Sequence, residues 1–247
     1  DLCNQKYTIE VRASPLRRIR MKDSLMSTYN RLPVTFVRGE GALLWDTGGK
    51  EYLDALSGIA VCNLGHAHAA VTRALCEQAG ALIHTSNLYG IASQEALGEA
   101  LTDLAGMDKV FFGNSGAEAN EAAIKLARLY GNRKGIKSPA IVVMENSFHG
   151  RTLATLSATG NRKVQSGFEP LVRGFTRVPY GDLDAIRHVA ASARNIAAVL
   201  VEPVQGEGGI NVPAAEYLTG IREICDQQGW LMMVDEIQTG MCRTGSW

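Results

Sequence analysis

Continuous apolar runs that alternate with segments of helical periodicity are the feature that most constrains the fold of this chain. Strands are predicted at 140–144, 197–202 and 230–235, where apolar residues fill nearly every position. Such runs are typical of strands covered by helices on both faces of a sheet, because both sets of alternate side chains are then buried. Helical periodicity occurs at 183–193 and 214–228. This alternation predicts an α/β fold with a largely parallel sheet.

The same periodicities extend the prediction towards the N-terminus. Further strands are expected at 109–113 and 175–178, and helical spacing occurs at about 68–82 and 93–105. Another helix is predicted at 116–130. One face of this helix carries the apolar residues Ala119, Ala123, Leu126 and Tyr130.

Residues 34–54 have a different pattern, in which apolar and polar residues alternate and the glycine-rich sequences GEG and TGG provide turns. This pattern predicts a small antiparallel meander. We expect a natural start at Met21. The predicted organisation is an N-terminal extension at 1–20, a segment with the meander at 21–60, and an α/β domain at 61–247.

The composition narrows the classes of partner. The 25 basic and 25 acidic residues give zero net charge, which provides no argument for binding to nucleic acid or to an anionic membrane. No apolar run approaches the roughly 18 residues of a membrane span. The five cysteines are scattered singly, which argues for a reducing compartment and against a disulfide framework or a zinc site. We therefore expect a cytoplasmic protein without a bound metal.

A strand, a tight turn and a helix are predicted across residues 110–130. Ser115, Gly116 and Ala117 form the turn, where the first N–H groups of the helix and the positive end of its dipole point at one place. This arrangement suits a phosphate, and the small residues would let a ligand approach the backbone. An ordinary turn, with Asn114 and Ser115 as helix caps, stays open as the alternative.

Polar segments follow three of the predicted strands, with the sequences ENSFHGRT, EPVQGEGG and DEIQTG. Ligands of open α/β sheets bind at the carboxyl ends of the strands, so these segments are candidates for a site. Asp235 directly follows four apolar residues, and burying an unpaired carboxylate there is unfavourable. A cationic pyridinium would be a suitable partner for it.

These motifs carry a family resemblance. The sequences NSGAEANEAAIKLAR, NSFHGRT, VEPVQGEGG and VDEIQTG resemble the class III pyridoxal-phosphate aminotransferases, and in particular the members that use N-acetylornithine. The resemblance extends in order from about Met21 to Trp247. It implies the large domain of the type I pyridoxal-phosphate transferases, truncated, together with an N-terminal segment of the small domain. The implied cofactor is pyridoxal 5′-phosphate.

The resemblance also implies roles for residues around the cofactor. The turn at 115–117 matches the one that holds the phosphate. Phe148 matches the aromatic residue that stacks on the pyridine ring, and Gln238 matches the amide near its phenolic oxygen. Asp235 matches the carboxylate that keeps the ring nitrogen protonated, which makes the ring an electron sink.

Other residues match positions that face the substrate. Arg151 matches the residue that binds the substrate carboxylate, for which a planar guanidinium is suited. Tyr29 matches a tyrosine of the substrate pocket, with core packing as the alternative. Glu207 matches the acid that switches a C-terminal arginine between half-reactions. Glu202 and His149 are expected in supporting roles, and for His149 a plain loop role stays open.

The implied activity is transfer of the δ-amino group of N-acetylornithine to 2-oxoglutarate, giving glutamate, by a homodimer in arginine biosynthesis. Ornithine, succinylornithine and 4-aminobutyrate stay open as alternative amino donors. The family also needs a lysine that forms a Schiff base with the cofactor. No lysine follows Lys163 in this chain, and the resemblance implies that the catalytic lysine lies beyond Trp247. We therefore expect this chain to be inactive alone.

Three other classes of protein are alternatives. An ATPase would use the run from Leu231 to Glu236 as a Walker B strand, but the nearest Walker A candidate, at 131–138, has Ile136 where a lysine is needed. A nicotinamide-dependent dehydrogenase is weaker still, since no GxGxxG opens a βαβ unit. A non-catalytic fragment or binding module stays open. Glu121 and Lys125 are expected to form only an i,i+4 ion pair.

Overall fold

The computed structural model describes residues 25–247, so the predicted extension at 1–20 and the start at Met21 lie outside the described residues. The chain divides into two units, the first ending at Glu95 and the second running from Ala96 to Trp247. The domain boundary predicted at residue 60 stays a prediction. Across the described residues, every helix is too short or too polar to span a lipid bilayer.

The first unit contains an antiparallel sheet in the order β1-β2-β3. Asp46 shapes the turn after β2, because its Oδ1 accepts hydrogen bonds from the N–H groups of Gly48 (2.8 Å) and Lys50 (2.9 Å). The rings of Phe36 and Tyr52 meet edge to face at 5.3 Å between centroids. The elements of this unit are β1 (Phe36–Glu40), β2 (Leu43–Asp46), β3 (Glu51–Leu53), α1 (Ser57–Ala60) and α2 (Ala69–Ala81), and α3 (Ala92–Ala105) includes the division.

The second unit is built on a four-stranded parallel sheet in the order β5-β4-β6-β7. The parallel sheet flanked by helices confirms the predicted α/β fold class. Its strands are β4 (Ala140–Met144), β5 (Phe175–Val178), β6 (Ile196–Val201) and β7 (Leu231–Val234). Its helices are α4 (Gly116–Arg133), α5 (Leu153–Ala158), α6 (Arg162–Gln165), α7 (Leu183–Ser192) and α8 (Tyr217–Gln228).

Both faces of this sheet are covered, which explains the continuous apolar runs. All residues of β4 and β6 are buried. Alternate side chains, such as Val142 and Val199, join a core with residues of α7 and α8. The intervening ones, such as Ile141 and Leu200, join a second core with Ile124 and Ala127 of α4. Because successive side chains of a strand point to opposite faces, neither set tolerates polar residues.

Two local predictions need correction. Residues 109–113 form no strand, and Phe111 is 71% exposed. An apolar run becomes a strand only when a neighbouring strand supplies hydrogen bonds, and no strand of the described sheet pairs with this segment. Helix α4 is present, but its buried face lies one residue further along than the apolar pattern indicated. The buried residues are Asn120, Ile124, Ala127 and Gly131.

Gly131 lies where α4 packs closely against the sheet. A Cβ added there would lie 2.6 Å from Pro139 Cβ and 3.0 Å from Ala197 Cβ. Gly98 in α3 is a suitable control, because it is also a helical glycine but has space for a methyl group. The nearest atom to an added Cβ is Phe112 Cε2 at 3.9 Å.

We predict opposite effects when these two glycines are replaced by alanine. Gly131→Ala should lower the free energy of unfolding by roughly 1–3 kcal/mol, because the methyl group overpacks the contact between helix and sheet. Gly98→Ala should raise it by up to about 1 kcal/mol through helix propensity. Urea unfolding of the purified variants measures both. A Gly131→Ala protein as stable as the Gly98→Ala protein would contradict the packing described.

Candidate active site

Four segments of the second unit meet at the carboxyl edge of its parallel sheet. They are the start of α4 and the loops that follow β4, β6 and β7. A Cβ added at Gly116 would lie 2.8 Å from Ile237 Cγ1, and one added at Gly150 would lie 2.9 Å from Ala117 Cβ. The start of α4 therefore contacts both the loop after β7 and the loop after β4. The predicted site residues on these segments belong to one edge of the sheet.

Asp235 is a buried residue of this edge with hydrogen-bond partners on both carboxylate oxygens. It is 8% exposed, and its backbone N–H donates to the carbonyl of Val201 (2.8 Å). Its Oδ2 accepts hydrogen bonds from Asn120 Nδ2 (2.8 Å) and pairs with His149 Nδ1 (2.8 Å). Its Oδ1 accepts one from the N–H of Ile237 (3.2 Å). A carboxylate offers about four acceptor positions, so one position remains, and it lies on Oδ1.

The pKa of Asp235 is lowered by these partners. Burial acts to raise it, but the hydrogen bond and electrostatic interaction with His149, followed by the hydrogen bond from Asn120, outweigh burial. Asp235 is thus an ionised carboxylate at neutral pH, held in a buried position with one acceptor position unfilled. A cationic N–H group fits that position.

The turn at 115–117 begins α4. Ser115 is the N-cap, with its hydroxyl oxygen accepting from the N–H of Glu118 (3.2 Å), so the predicted capping role is present. The N–H groups of Gly116 and Ala117 lie in the first turn, where no intrahelical carbonyl is available to them. The space beside Gly116 is taken by the Ile237 side chain. Its lack of a Cβ therefore serves packing, and its predicted role in phosphate binding stays a prediction.

The loop after β4 carries Phe148, His149 and Arg151. Phe148 is half-buried, and its N–H donates to Glu202 Oε2 (3.1 Å). His149 is a buried loop residue whose N–H donates to Thr159 Oγ1 (3.0 Å) and whose Nδ1 pairs with Asp235, and its role towards a cofactor stays a prediction. Arg151 is exposed, and its role towards a substrate stays a prediction.

The loops after β6 and β7 are fitted together at a glycine. A Cβ added at Gly206 would lie 2.2 Å from Gln238 Oε1, so a larger residue there would require the Gln238 side chain to move. Glu207 is exposed in the same loop. Gln205 anchors the loop through hydrogen bonds from its Nε2 to the carbonyl of Glu145 (2.8 Å) and from Asn211 Nδ2 to its Oε1 (3.0 Å).

Tyr29 belongs to the first unit and is 65% exposed. Its predicted substrate role therefore stays a prediction. The ionisable side chains of the described residues form no group of three or more that could hold a metal ion. His66, one of the two closely spaced histidines in the sequence, pairs with Asp54 (2.7 Å).

The sequence did not predict the contacts of two residues that contribute to this edge. Asn120 contacts Asp235, and its signal was a residue of poor helix propensity that shares a helical stripe with buried Ile124. Glu121 was expected to pair with Lys125, and that prediction is wrong. Its Oε1 instead accepts hydrogen bonds at the start of α5, from the Thr152 hydroxyl and from the N–H groups of Ala154 and Thr155. A carboxylate at a helix N-terminus is favoured by the helix dipole.

Glu202 is the second buried carboxylate of the edge. Burial raises its pKa to about 6, with the nearby charge of Asp235 adding to the increase, while His149 and the N–H of Phe148 oppose it. The two carboxylates therefore differ, since Glu202 exchanges its proton near pH 6 and Asp235 stays ionised.

We predict that the free energy of unfolding falls as the pH rises from 4.5 to 6, because Glu202 loses its proton over this range. Its pKa is higher in the folded protein than its ordinary value of 4.5, so protonation favours the fold and that contribution is lost as the proton leaves. The difference corresponds to roughly 2 kcal/mol. Asp235 affects stability in a separate pH range, below 3.8. Because its pKa is lowered in the folded protein, protonation of Asp235 by acid lowers the free energy of unfolding.

Urea unfolding across this pH range, with Glu202→Gln compared with the exposed control Glu207→Gln, measures the effect. Glu202→Gln should remove this part of the pH dependence, and Glu207→Gln should retain it. An unchanged slope in Glu202→Gln would contradict the assignment.

Comparison with known proteins gives a consistent set of relatives. The sequence model described as aminotransferase class III matches residues 25–247. Acetylornithine aminotransferase from Nitrosomonas europaea is 65% identical over 223 residues, covering 90% of this chain and 57% of that protein.

Two solved structures also match. Ornithine aminotransferase from Toxoplasma gondii, described with partial occupancy of pyridoxal phosphate at its active site, has a TM-score of 0.86 at 37% identity, covering 90% of this chain and 53% of that one. N-acetylornithine aminotransferase from Stenotrophomonas maltophilia has a TM-score of 0.74 at 39% identity. The match covers 88% of this chain and 54% of that one. The chain therefore spans a little over half the length of the proteins it matches.

Proposed function

This chain belongs to the class III aminotransferases, and we propose that it is part of an enzyme that moves the δ-amino group of N-acetylornithine to 2-oxoglutarate with pyridoxal 5′-phosphate. The 65% identity to an acetylornithine aminotransferase supports this choice of amino donor. The activity belongs to arginine biosynthesis, and the enzyme is a cytoplasmic homodimer in this proposal. The last two properties rest on the family resemblance alone.

The observation that carries the proposal is the state of Asp235. A buried, ionised carboxylate with one unfilled acceptor position is matched to a protonated pyridine nitrogen. Pyridoxal phosphate, when bound, supplies an electron sink whose strength depends on that protonation. Asp235 would keep the ring nitrogen protonated, because its negative charge opposes loss of the proton.

Other residues would orient the cofactor. The N–H groups at the start of α4, with Ser115, would bind the phosphate. Phe148 would stack on the ring, and Gln238 would approach the phenolic oxygen. None of the residues described at this edge is a lysine, and the catalytic lysine would belong to the part of the relatives' length that this chain does not span.

Substrate binding is proposed for residues with exposed side chains. Arg151 would bind a substrate carboxylate, Tyr29 would line the pocket, and Glu207 would switch an arginine between half-reactions. Glu202 and His149 support the edge from within. Ornithine is the second candidate donor, favoured by the TM-score of 0.86 to an ornithine aminotransferase.

Substrate comparison tests the proposed donor. In the full-length protein, supplied with pyridoxal phosphate and 2-oxoglutarate, glutamate should form at least tenfold more efficiently, in kcat/KM, from N-acetylornithine than from ornithine or 4-aminobutyrate. A higher kcat/KM for ornithine would identify ornithine as the amino donor instead of N-acetylornithine. Absence of glutamate from every donor would refute the proposed activity.

We predict a separation between two variants of the full-length enzyme. Arg151→Ala should raise the KM for N-acetylornithine by about tenfold or more and leave the affinity for pyridoxal phosphate unchanged, since about 1.4 kcal/mol of substrate binding is lost. Asp235→Ala should weaken cofactor binding and lower kcat together. Kinetics and cofactor titration measure both effects, with Glu236→Gln as the exposed neighbouring control. Full activity of Asp235→Ala would contradict the pyridinium assignment.

A further inference from the structure

We propose that Asn120 is a positioning residue that orients the carboxylate of Asp235 relative to the start of α4, leaving Oδ1 to accept a hydrogen bond from a cationic ring nitrogen. This inference rests on the proposed function, because it specifies how the chain prepares its carboxylate for the pyridine ring.

The contacts of Asn120 link three segments that are distant in sequence. The residue is 6% exposed and lies on the buried face of α4. Its Nδ2 donates to the carbonyl of His149 (3.0 Å) and to Asp235 Oδ2 (2.8 Å), which are 29 and 115 residues away. Both hydrogens of the amide nitrogen are therefore used. One side chain thus holds the loop after β4 and the carboxylate after β7 to the same helix.

These hydrogen bonds determine which carboxylate oxygen stays available. Asn120 and His149 both act on Oδ2, whereas Oδ1 receives only the longer bond from the N–H of Ile237. Without Asn120, Oδ2 would be held by His149 alone, and rotation of the carboxylate about its Cβ–Cγ bond would be less restricted. The Asn120 amide thus favours one orientation of the Asp235 carboxylate and also favours its ionised form.

The place of Asn120 on α4 adds a second constraint. It follows Gly116 by four residues, which corresponds to roughly 6 Å along a helix axis. The N–H groups proposed to bind the phosphate and the amide that holds Asp235 are therefore carried by one rigid element. The distance between the proposed phosphate site and Asp235 is therefore set by α4 before a cofactor binds.

The side chain type is specific to this task. An amide nitrogen supplies two donors without a charge. Alanine would leave Oδ2 with a single partner, and aspartate would place a second carboxylate beside Asp235, where like charges oppose ionisation of both. A residue that only filled space would not need two donors.

Two measurements on the full-length protein test this role, with Asn132→Ala as control, because Asn132 lies on the same helix and is exposed. The first uses ¹⁵N-labelled pyridoxal phosphate and follows the ring nitrogen by NMR as a function of pH. In the wild type and Asn132→Ala the nitrogen should stay protonated up to pH 8. In Asn120→Ala its apparent pKa should fall by at least one pH unit.

The second measurement is made without cofactor, by ¹³C NMR of the Asp235 carboxyl group. Its pKa should rise in Asn120→Ala and stay unchanged in Asn132→Ala. If Asn120→Ala does not fold, Asn120→Ser provides the comparison, since a hydroxyl donates only one hydrogen bond.

The outcomes separate the two proposals. A wild type that holds pyridoxal phosphate with a protonated ring, together with Asn120 variants that change neither the ring nitrogen nor the carboxyl group, would overturn the role of Asn120 alone. A wild type that binds no pyridoxal phosphate would refute the proposed function and the role of Asn120 with it. Lower stability in the variants without either NMR change would indicate a merely structural residue and also overturn the inference.

Discussion

A charged carboxylate inside the protein is the interaction on which the rest of the site depends. Moving an ionised group out of water costs several kcal/mol unless hydrogen bonds replace its hydration. For Asp235, those hydrogen bonds come from α4, from the loop after β4 and from its own following turn. Each charge-assisted bond contributes roughly 1.5–3 kcal/mol. The stability of the carboxylate therefore requires that three segments keep their relative positions.

Glycines make this convergence sterically possible. Gly116 accommodates Ile237, Gly150 accommodates Ala117, and Gly206 accommodates the Gln238 amide. At Gly116 and Gly150 a Cβ would press on Ile237 and Ala117, whereas at Gly206 it would displace the end of the Gln238 side chain. Glycine-rich motifs at strand ends suggest close approach of a ligand, and in this protein part of that glycine content serves contacts between protein segments.

The sequence predicted the sheet well where one physical requirement dominated. Strands β4 and β6 are buried on both faces, so their side chains had to be apolar and their positions were evident. The same apolar signal at 109–113 failed, because pairing depends on neighbours that periodicity does not reveal. Asn120 and Glu121 were missed for a related reason. Their partners lie 29 or more residues away, and local helix patterns record only neighbours three or four positions apart.

The central claim is that one small molecule connects Asp235 to the start of α4. A crystal structure of the full-length protein with pyridoxal 5′-phosphate tests it directly. We expect the ring nitrogen about 2.7–2.9 Å from Asp235 Oδ1, with the phosphate on the N–H groups at 115–117. A ring nitrogen without contact to Asp235, or a phosphate bound away from this turn, would contradict it.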